Sequence, residues 1–327
     1  MNTRRRCLLA TAAWPALAWT SALQAQANPP RVIGWLSAGS RVASPAMQGA
    51  FKEGMATLGW KLDVQYVLEE RYADARVDRL PALALELAAR NPAVIVALQS
   101  EAVRAAARVA PATPIVRVVG DSPLRGLVAS LARPGGMVTG LSSVADEMHL
   151  KVIELLVEAV PKLRRVGFLA DTTAGGRDAN VSNSRRAAER FGFEAVIADL
   201  ARPEDIEPAF VRLAQAKVQA LVILPYTWIG AHQSKIVQLA LAQRWPVVGP
   251  GTSVPRQGGL LSYGPDSVAL AGRSAYFVDR ILKGAKPGDL PIEQPTTFDL
   301  VLNMKTAKML GITIPTSMRV RATEVIE

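Results

Sequence analysis

Cysteine is almost missing from this chain: of its 327 residues, only Cys7 is one. That excludes an internal disulfide, and it leaves no thiol nucleophile or thiolate metal site beyond the extreme N-terminus. Histidine is nearly as scarce. His149 and His232 fall on separate helix candidates, with no other histidine or cysteine near either in sequence. Both read as solvated or capping residues and not as metal ligands or catalytic bases. Aromatic residues make up 6% of the chain, and beyond the N-terminus no run of lysine or arginine exceeds two. Cations interleaved with base-stacking aromatics are therefore lacking, and nucleic acid is not an expected partner. No Gly-x-Ser-x-Gly elbow occurs, because Gly140-Leu141-Ser142-Ser143 and Gly249-Pro250-Gly251-Thr252-Ser253 both miss its spacing. There is no Walker-type loop, and the first strand candidate is followed by Ser37-Ala38-Gly39-Ser40 in place of a full Gly-x-Gly-x-x-Gly fingerprint. Serine-hydrolase and nucleotide-cofactor chemistry are unsupported, and no cofactor or metal is expected.

Long apolar runs are missing too. The longest, from Cys7 to about Leu23, is too short and too alanine-rich for a membrane span of about 20 residues. It follows Arg4, Arg5 and Arg6 and ends in the small-residue pattern Ala25-Gln26-Ala27, which is the layout of an export signal. We expect residues 1–27 to be a signal peptide cleaved near Ala27, leaving a soluble periplasmic chain. The arginines before Cys7-Leu8-Leu9 also resemble a twin-arginine signal, with cysteine where that signal favours phenylalanine, so both export routes stay open. Cys7 precedes the apolar run, directly behind Arg6, which is the wrong place for a lipid-attachment cysteine. The net charge is +10, and the three leader arginines account for only part of it. The remaining cations are scattered, as in a solubilising surface with a slight attraction for anionic partners or membrane faces.

Half of the residues are apolar, enough for packed lobes of ordinary size. Strand candidates at residues 31–36, 64–68, 94–98 and 115–119 alternate with helix candidates at 47–58, 79–90 and 101–109. After the breaker Pro134-Gly135-Gly136 and a long helix candidate at 147–160, the pattern restarts. Strand candidates at 166–169, 195–200, 220–224, 247–248 and 260–263 enclose helix candidates at 184–191, 204–216 and 233–244. Alternation of this kind predicts parallel sheets covered on both faces, here two α/β lobes with about five strands each. A helix candidate at 267–282, a strand at 297–302 and a short helix at 305–310 remain to cross back and complete the lobes. The expected division is 31–142 with about 262–295 for the first lobe and about 143–261 with 296–327 for the second. Several crossings would form a hinge of stiff segments.

In open α/β sheets ligands bind beyond the carboxyl ends of the strands. The residues there are polar and rich in hydroxyls: Ser37 and Ser40, Gln99 and Ser100, Asp121, Thr172 and Thr173, Tyr226 and Thr227, and Tyr263. Each loop alone reads as ordinary solvation, and the functional weight comes from the shared position. Asp121 suits a ligand ammonium or a simple turn cap, and Tyr226, Trp228 or Tyr263 could stack on a flat group. Trp35 and Trp60 read as packing residues.

From Arg31 to Glu327 the sequence resembles the ABC-transporter substrate-binding family that includes tryptophan- and tyrosine-type binding proteins. The resemblance lies in Gly120-Asp121-Ser122-Pro123, the stretches 126–136 and 138–141, Gly258 to Asp266, Val278 to Gly284 and Leu290 to Thr296. It implies the type I periplasmic-binding-protein fold, two doubly wound lobes closing over a small solute. It also implies that a monomer delivers the solute to an inner-membrane ABC permease with its ATPase. Two cleft loops depart from the family. Ala97-Leu98-Gln99-Ser100-Glu101 lacks the usual glycine- and threonine-containing turn, and residues 170–175 replace an Asn-Pro-rich loop. An aromatic amino acid therefore does not carry over automatically as the ligand. Arg117, on an otherwise apolar strand, reads as an edge or lobe-surface residue, with a charge pattern suited to a different ligand as the alternative. The rival readings are a doubly wound enzyme using Asp121 or Asp171 as a cleft acid, and a ligand-sensing module.

Overall fold

The computed structural model describes residues 29–327 apart from Ala43, 121–125, 143, 144 and Gly175. The leader with Cys7 lies outside the described residues, as does Asp121. The first half runs β1 (Arg31–Ser37), α1 (Pro45–Thr57), β2 (Tyr66–Tyr72), α2 (Leu80–Ala88), β3 (Val94–Leu98), α3 (Ser100–Val109), β4 (Ile115–Arg117) and β5 (Val138–Gly140). These strands form one parallel sheet in the order β2-β1-β3-β4-β5. The central strand β3, Val-Ile-Val-Ala-Leu, is buried along its whole length, as a parallel strand covered on both faces must be.

The chain continues through α4 (Ala145–Ala159), β6 (Arg165–Asp171), α5 (Arg177–Phe191), β7 (Glu194–Leu200), α6 (Ile206–Gln215), β8 (Ala220–Ile223), α7 (Thr227–Ala231), α8 (Gln233–Ala242), β9 (Val247–Pro250), α9 (Ser253–Arg256) and β10 (Leu261–Gly264). It ends with α10 (Ser267–Leu282), β11 (Asp299–Asn303), α11 (Met304–Leu310), α12 (Thr316–Arg321) and β12 (Glu324–Ile326). The second sheet has the order β12-β11-β10-β9-β8-β6-β7. It holds seven strands where five were expected, and β11 runs antiparallel to β10. β10 bonds into it through Gly264, so residues 262–264, read from sequence as part of the first lobe, are strand residues of the second sheet.

Helix α10 returns to the first lobe. Asp266 caps its start by accepting from the Val268 amide at 2.7 Å, and Leu270, Ala271, Phe277, Val278 and Leu282 enter the core that also holds Trp35, Phe51 and Met55. Full burial of each large apolar side chain stabilises by about 1.5–3 kcal/mol, so α10 is bound firmly to that lobe. It crosses α1 at very close range: a methyl group on Gly54 would meet the Gly272 carbonyl oxygen at 2.7 Å and the Ala275 methyl at 2.9 Å. Helices α2 and α3 cover the opposite face of the sheet with a separate cluster that includes Leu80, Leu87 and Val103.

Three segments link the lobes, around residues 141–142, 265–266 and 293–298. The first and third are joined, with the Glu293 amide donating to the Gly140 carbonyl at 2.9 Å and the Ser142 amide to the Glu293 carbonyl at 2.8 Å. Arg273 of α10 grips the Glu293 carboxylate through two bonds, at 2.6 and 2.8 Å.

The α1–α10 crossing is testable. Gly54→Val should destabilise the protein by about 1–3 kcal/mol through overpacking, whereas Gly49→Ala, whose added methyl group meets nothing within 4 Å, should stabilise it by about 0.5–1 kcal/mol. Urea unfolding of both variants measures this. Equal midpoints would disprove the close crossing.

Candidate functional site

The carboxyl edge of the first sheet turns toward the second lobe. The loop after β2 bonds across to the one after β1, Asp74 amide to Gly39 carbonyl at 3.1 Å and Ala75 amide to Ala38 carbonyl at 2.8 Å. Ala75 then packs against the second lobe's apolar core. Asp74 and Ala75 both have positive φ, 55° and 63°, a conformation that costs a residue with a Cβ about 1–2 kcal/mol. Next along the edge, Gln99 has φ 68° and ψ 153°, a region used almost only by glycine. Its strained backbone starts α3 and turns its side chain toward β1, where Oε1 accepts from the Ala38 amide at 3.1 Å. Strain that the surroundings hold in place gathers at binding sites, and these three residues make this edge the candidate site.

The sequence-derived residues are distributed unevenly. Ser37 is buried, and its hydroxyl accepts from the Gly39 amide at 3.1 Å, so it shapes the loop. Ser40 is half-buried, with its carbonyl taking the Ser44 hydroxyl at 2.9 Å. Ser100 opens α3 directly beside Gly120, where an added methyl group would meet its hydroxyl at 2.6 Å. In the second lobe, Thr172 is exposed and its hydroxyl donates to the Leu200 carbonyl at 3.2 Å. Thr173 caps Asp171, giving its amide at 2.8 Å and its hydroxyl at 2.6 Å to Asp171 Oδ1. Asp171 is thus a buried turn acid committed to its own loop. Tyr226 and Trp228 are buried; the Trp228 indole N–H has no hydrogen-bond partner among the described residues, and the Asn180 side chain approaches the Tyr226 hydroxyl. Thr227 begins α7 half-exposed, and Tyr263 stacks on Phe298 with ring centres 5.7 Å apart.

Arg117 corrects the sequence reading. It lies inside the sheet, in β4 between β3 and β5, and is only 3% exposed. Its guanidinium donates to the Gly120 carbonyl at 2.7 Å, on the carboxyl edge beside Ser100. Pairing between distant strands decides this, and no local pattern reveals it. His149 is neither solvated nor capping: it is half-buried, bonds to Ser184 at 3.2 Å and stacks on Phe168. His232 does cap, through a 2.8 Å contact with the Trp228 carbonyl between α7 and α8.

Sequence reasoning missed a network at the end of β2. Gln48 Nε2 donates to the Tyr72 hydroxyl at 2.7 Å, Glu70 accepts from that hydroxyl at 3.4 Å, and Arg41 lies over the Tyr72 ring and 2.9 Å from Glu70. The strand candidate at 64–68 ends before this network, while β2 runs on through the charged Glu69-Glu70-Arg71 to Tyr72. Among the described residues, no group of three His, Cys, Asp or Glu side chains could hold a metal.

Burial, with the Glu70 carboxylate beside it, pushes the Tyr72 phenol up to about 12 against the pull of Arg41. Burial likewise pushes Tyr226 to about 12, with the Asn180 side chain acting the other way. Below pH 10 both phenols are neutral in the folded and unfolded chain alike. Between pH 10 and about 12 the unfolded chain ionises first, so this contribution to stability is lost as pH rises through the window. Urea midpoints measured at stepped pH should fall above pH 10, and the double variant Tyr72→Phe/Tyr226→Phe should fall less. An equally steep fall in the variant would assign the effect to other groups.

Comparison with known proteins agrees with this geometry. A tyrosine-binding protein of Clostridioides difficile is 23% identical over 221 residues, which are 67% of this chain and 63% of that protein, so the match spans less than two thirds of the relative. An ABC domain from Streptococcus pneumoniae solved in complex with L-Trp superimposes with a TM-score of 0.83 at 24% identity, over 91% of this chain and all of that one. A conserved domain protein from Vibrio cholerae gives 0.84 at 24% identity, over 90% of this chain and 99% of its own. These likenesses show the two-lobed binding-protein fold. The family model described as ABC transporter substrate binding protein matches residues 38–326, and the chain belongs to that family.

Proposed function

We propose that this protein is the solute-capturing component of an ABC importer, exported to the periplasm with residues 1–27 removed. It works as a monomer and hands its solute to a permease and ATPase in the inner membrane. The first lobe comprises 31–142 with 265–295, and the second 143–264 with 296–327. The observation that carries the reading is the strained, hydrogen-bonding carboxyl edge at Asp74, Ala75 and Gln99, facing a second lobe across three crossings, two of them joined. Strain there keeps the binding groups in place before the solute arrives, which lowers the ordering cost of capture.

In this reading Ser40, Gln99, Ser100 and Asp121 meet the solute from the first lobe, and Thr173, Thr227 and Tyr263 from the second. Ser37, Thr172 and Tyr226 support the loops behind them. Tyr263, half-buried and backed by Phe298, suits a flat group, and Asp121 suits a cation. A small polar solute of the amino-acid or aromatic class fits this set. The relatives that bind tyrosine and L-Trp support the class, and the changed loops at 97–101 and 170–175 argue for a different member of it.

A thermal-shift screen of the purified protein against amino acids, aromatic acids, nucleosides and sugars tests the proposal, because a ligand bound only by the folded state raises the melting temperature. A selective rise within the amino-acid and aromatic group is expected. Asp121→Ala should then weaken binding by about 1–3 kcal/mol. Turnover of the compound would favour the enzyme reading, and unchanged affinity in the variant would remove Asp121 from the site.

A further inference from the structure

The edge of the second sheet opposite the cleft carries a charge pattern that solute capture does not use. The junctions leading into β6, β7, β8 and β9 hold five cations, Lys162, Arg164, Arg165, Lys217 and Arg244, against one carboxylate, Glu194. Glu194 is taken by Arg165 at 2.8 Å. Lys162, Arg164, Lys217 and Arg244 are exposed, and none has a salt bridge among the described residues. They stand close together, since β9, β8 and β6 are adjacent in the sheet. Gln219 ties two of the junctions by accepting from the Arg164 and Arg165 amides at 2.6 and 3.3 Å, and Arg165 reaches the Ala216 carbonyl beside Lys217 at 3.1 Å.

Three of these cations sit at helix ends with positive φ: Lys162 at 69°, Lys217 at 55° and Arg244 at 59°. Glycine or asparagine fits that conformation better than a long side chain does. The first lobe follows the rule, with Gly59, Asn91 and Gly284 at its corresponding ends. The last helical carbonyls favour a nearby cation, but they do so in both lobes, and only the second places cations there three times over.

We propose that this edge is an electrostatic docking face for an anionic phospholipid surface. Its cations spread along a strand edge, and the aromatic residues of the same junctions, Phe193 and Trp245, are buried; the stacking that single-stranded nucleic acid needs is therefore missing. A protein whose family serves a membrane transporter gains from resting a lobe on the lipid beside it, because the search for the transporter is then confined to a surface.

Cosedimentation of the purified protein with vesicles tests this, using phosphatidylcholine alone and phosphatidylcholine mixed with phosphatidylglycerol at low ionic strength. Binding should need phosphatidylglycerol and should fade as salt shortens the screening length. The variant Lys162→Asn/Lys217→Asn/Arg244→Asn keeps residues suited to positive φ, so it should fold. It should bind about a hundredfold more weakly, from roughly fivefold per cation at a lipid surface. The matched variant Arg31→Asn/Lys61→Asn/Lys286→Asn removes the same charge from the first lobe and should change binding by less than about threefold. Equal losses in the two variants, equal binding to phosphatidylcholine alone, or no binding to either vesicle would overturn the proposal.

Discussion

Two backbone hydrogen bonds, from Glu293 to Gly140 and from Ser142 to Glu293, join two of the three crossings into one strap, and the arrangement of the cleft depends on that strap. A single flexible link would let the lobes take any orientation, and the polar loops on their facing edges would meet only by chance. A joined strap, with Arg273 holding Glu293 to α10 and α10 locked to α1 by the close crossing at Gly54, narrows the orientations open to the lobes. The crossings are thus anchored in the same packing that stabilises the first lobe.

Backbone strain separates the two ends of the molecule. Positive-φ residues with side chains occur on the cleft edge, at Asp74, Ala75 and Gln99, in the turn before β2, at Asp63, and at far-edge helix ends, at Asn91, Lys162, Lys217 and Arg244. The last four end helices, and the next strand begins within a few residues. On the cleft edge they do something different: Gln99 begins a helix and donates its own amide to the Val119 carbonyl at 3.0 Å, holding two loops of the site together. Only the second use carries the mark of ligand binding.

Much of the fold was legible in the sequence, and the failures have physical causes. The run Val94–Leu98 and the helix Ser267–Leu282 with its Asp266 cap show in local pattern because burial on both faces and helix periodicity are written residue by residue. β5, at Val138–Gly140, is too short to show a period. The antiparallel pairing of β10 with β11 is a matter of long-range partners, as is the burial of Arg117 in the middle of a sheet. Within the site, the polar strand ends were readable by position. The hydroxyls of Thr172 and Thr173 and the rings of Tyr226 and Trp228 were not, because whether a loop side chain faces the cleft or its own lobe depends on contacts far away in sequence. The conformation of Gln99 was hidden as well, since glutamine signals no left-handed backbone.

The account stands on one solute touching both carboxyl edges at once. Hydrogen exchange with and without the bound solute measures this most directly, because amides in loops closed over a ligand exchange more slowly. The account predicts slowed exchange in the loops at 37–40, 73–75 and 99–101 of the first lobe together with those at 172–174 and 226–228 of the second. Protection confined to one lobe, or falling at the opposite edges, would contradict it.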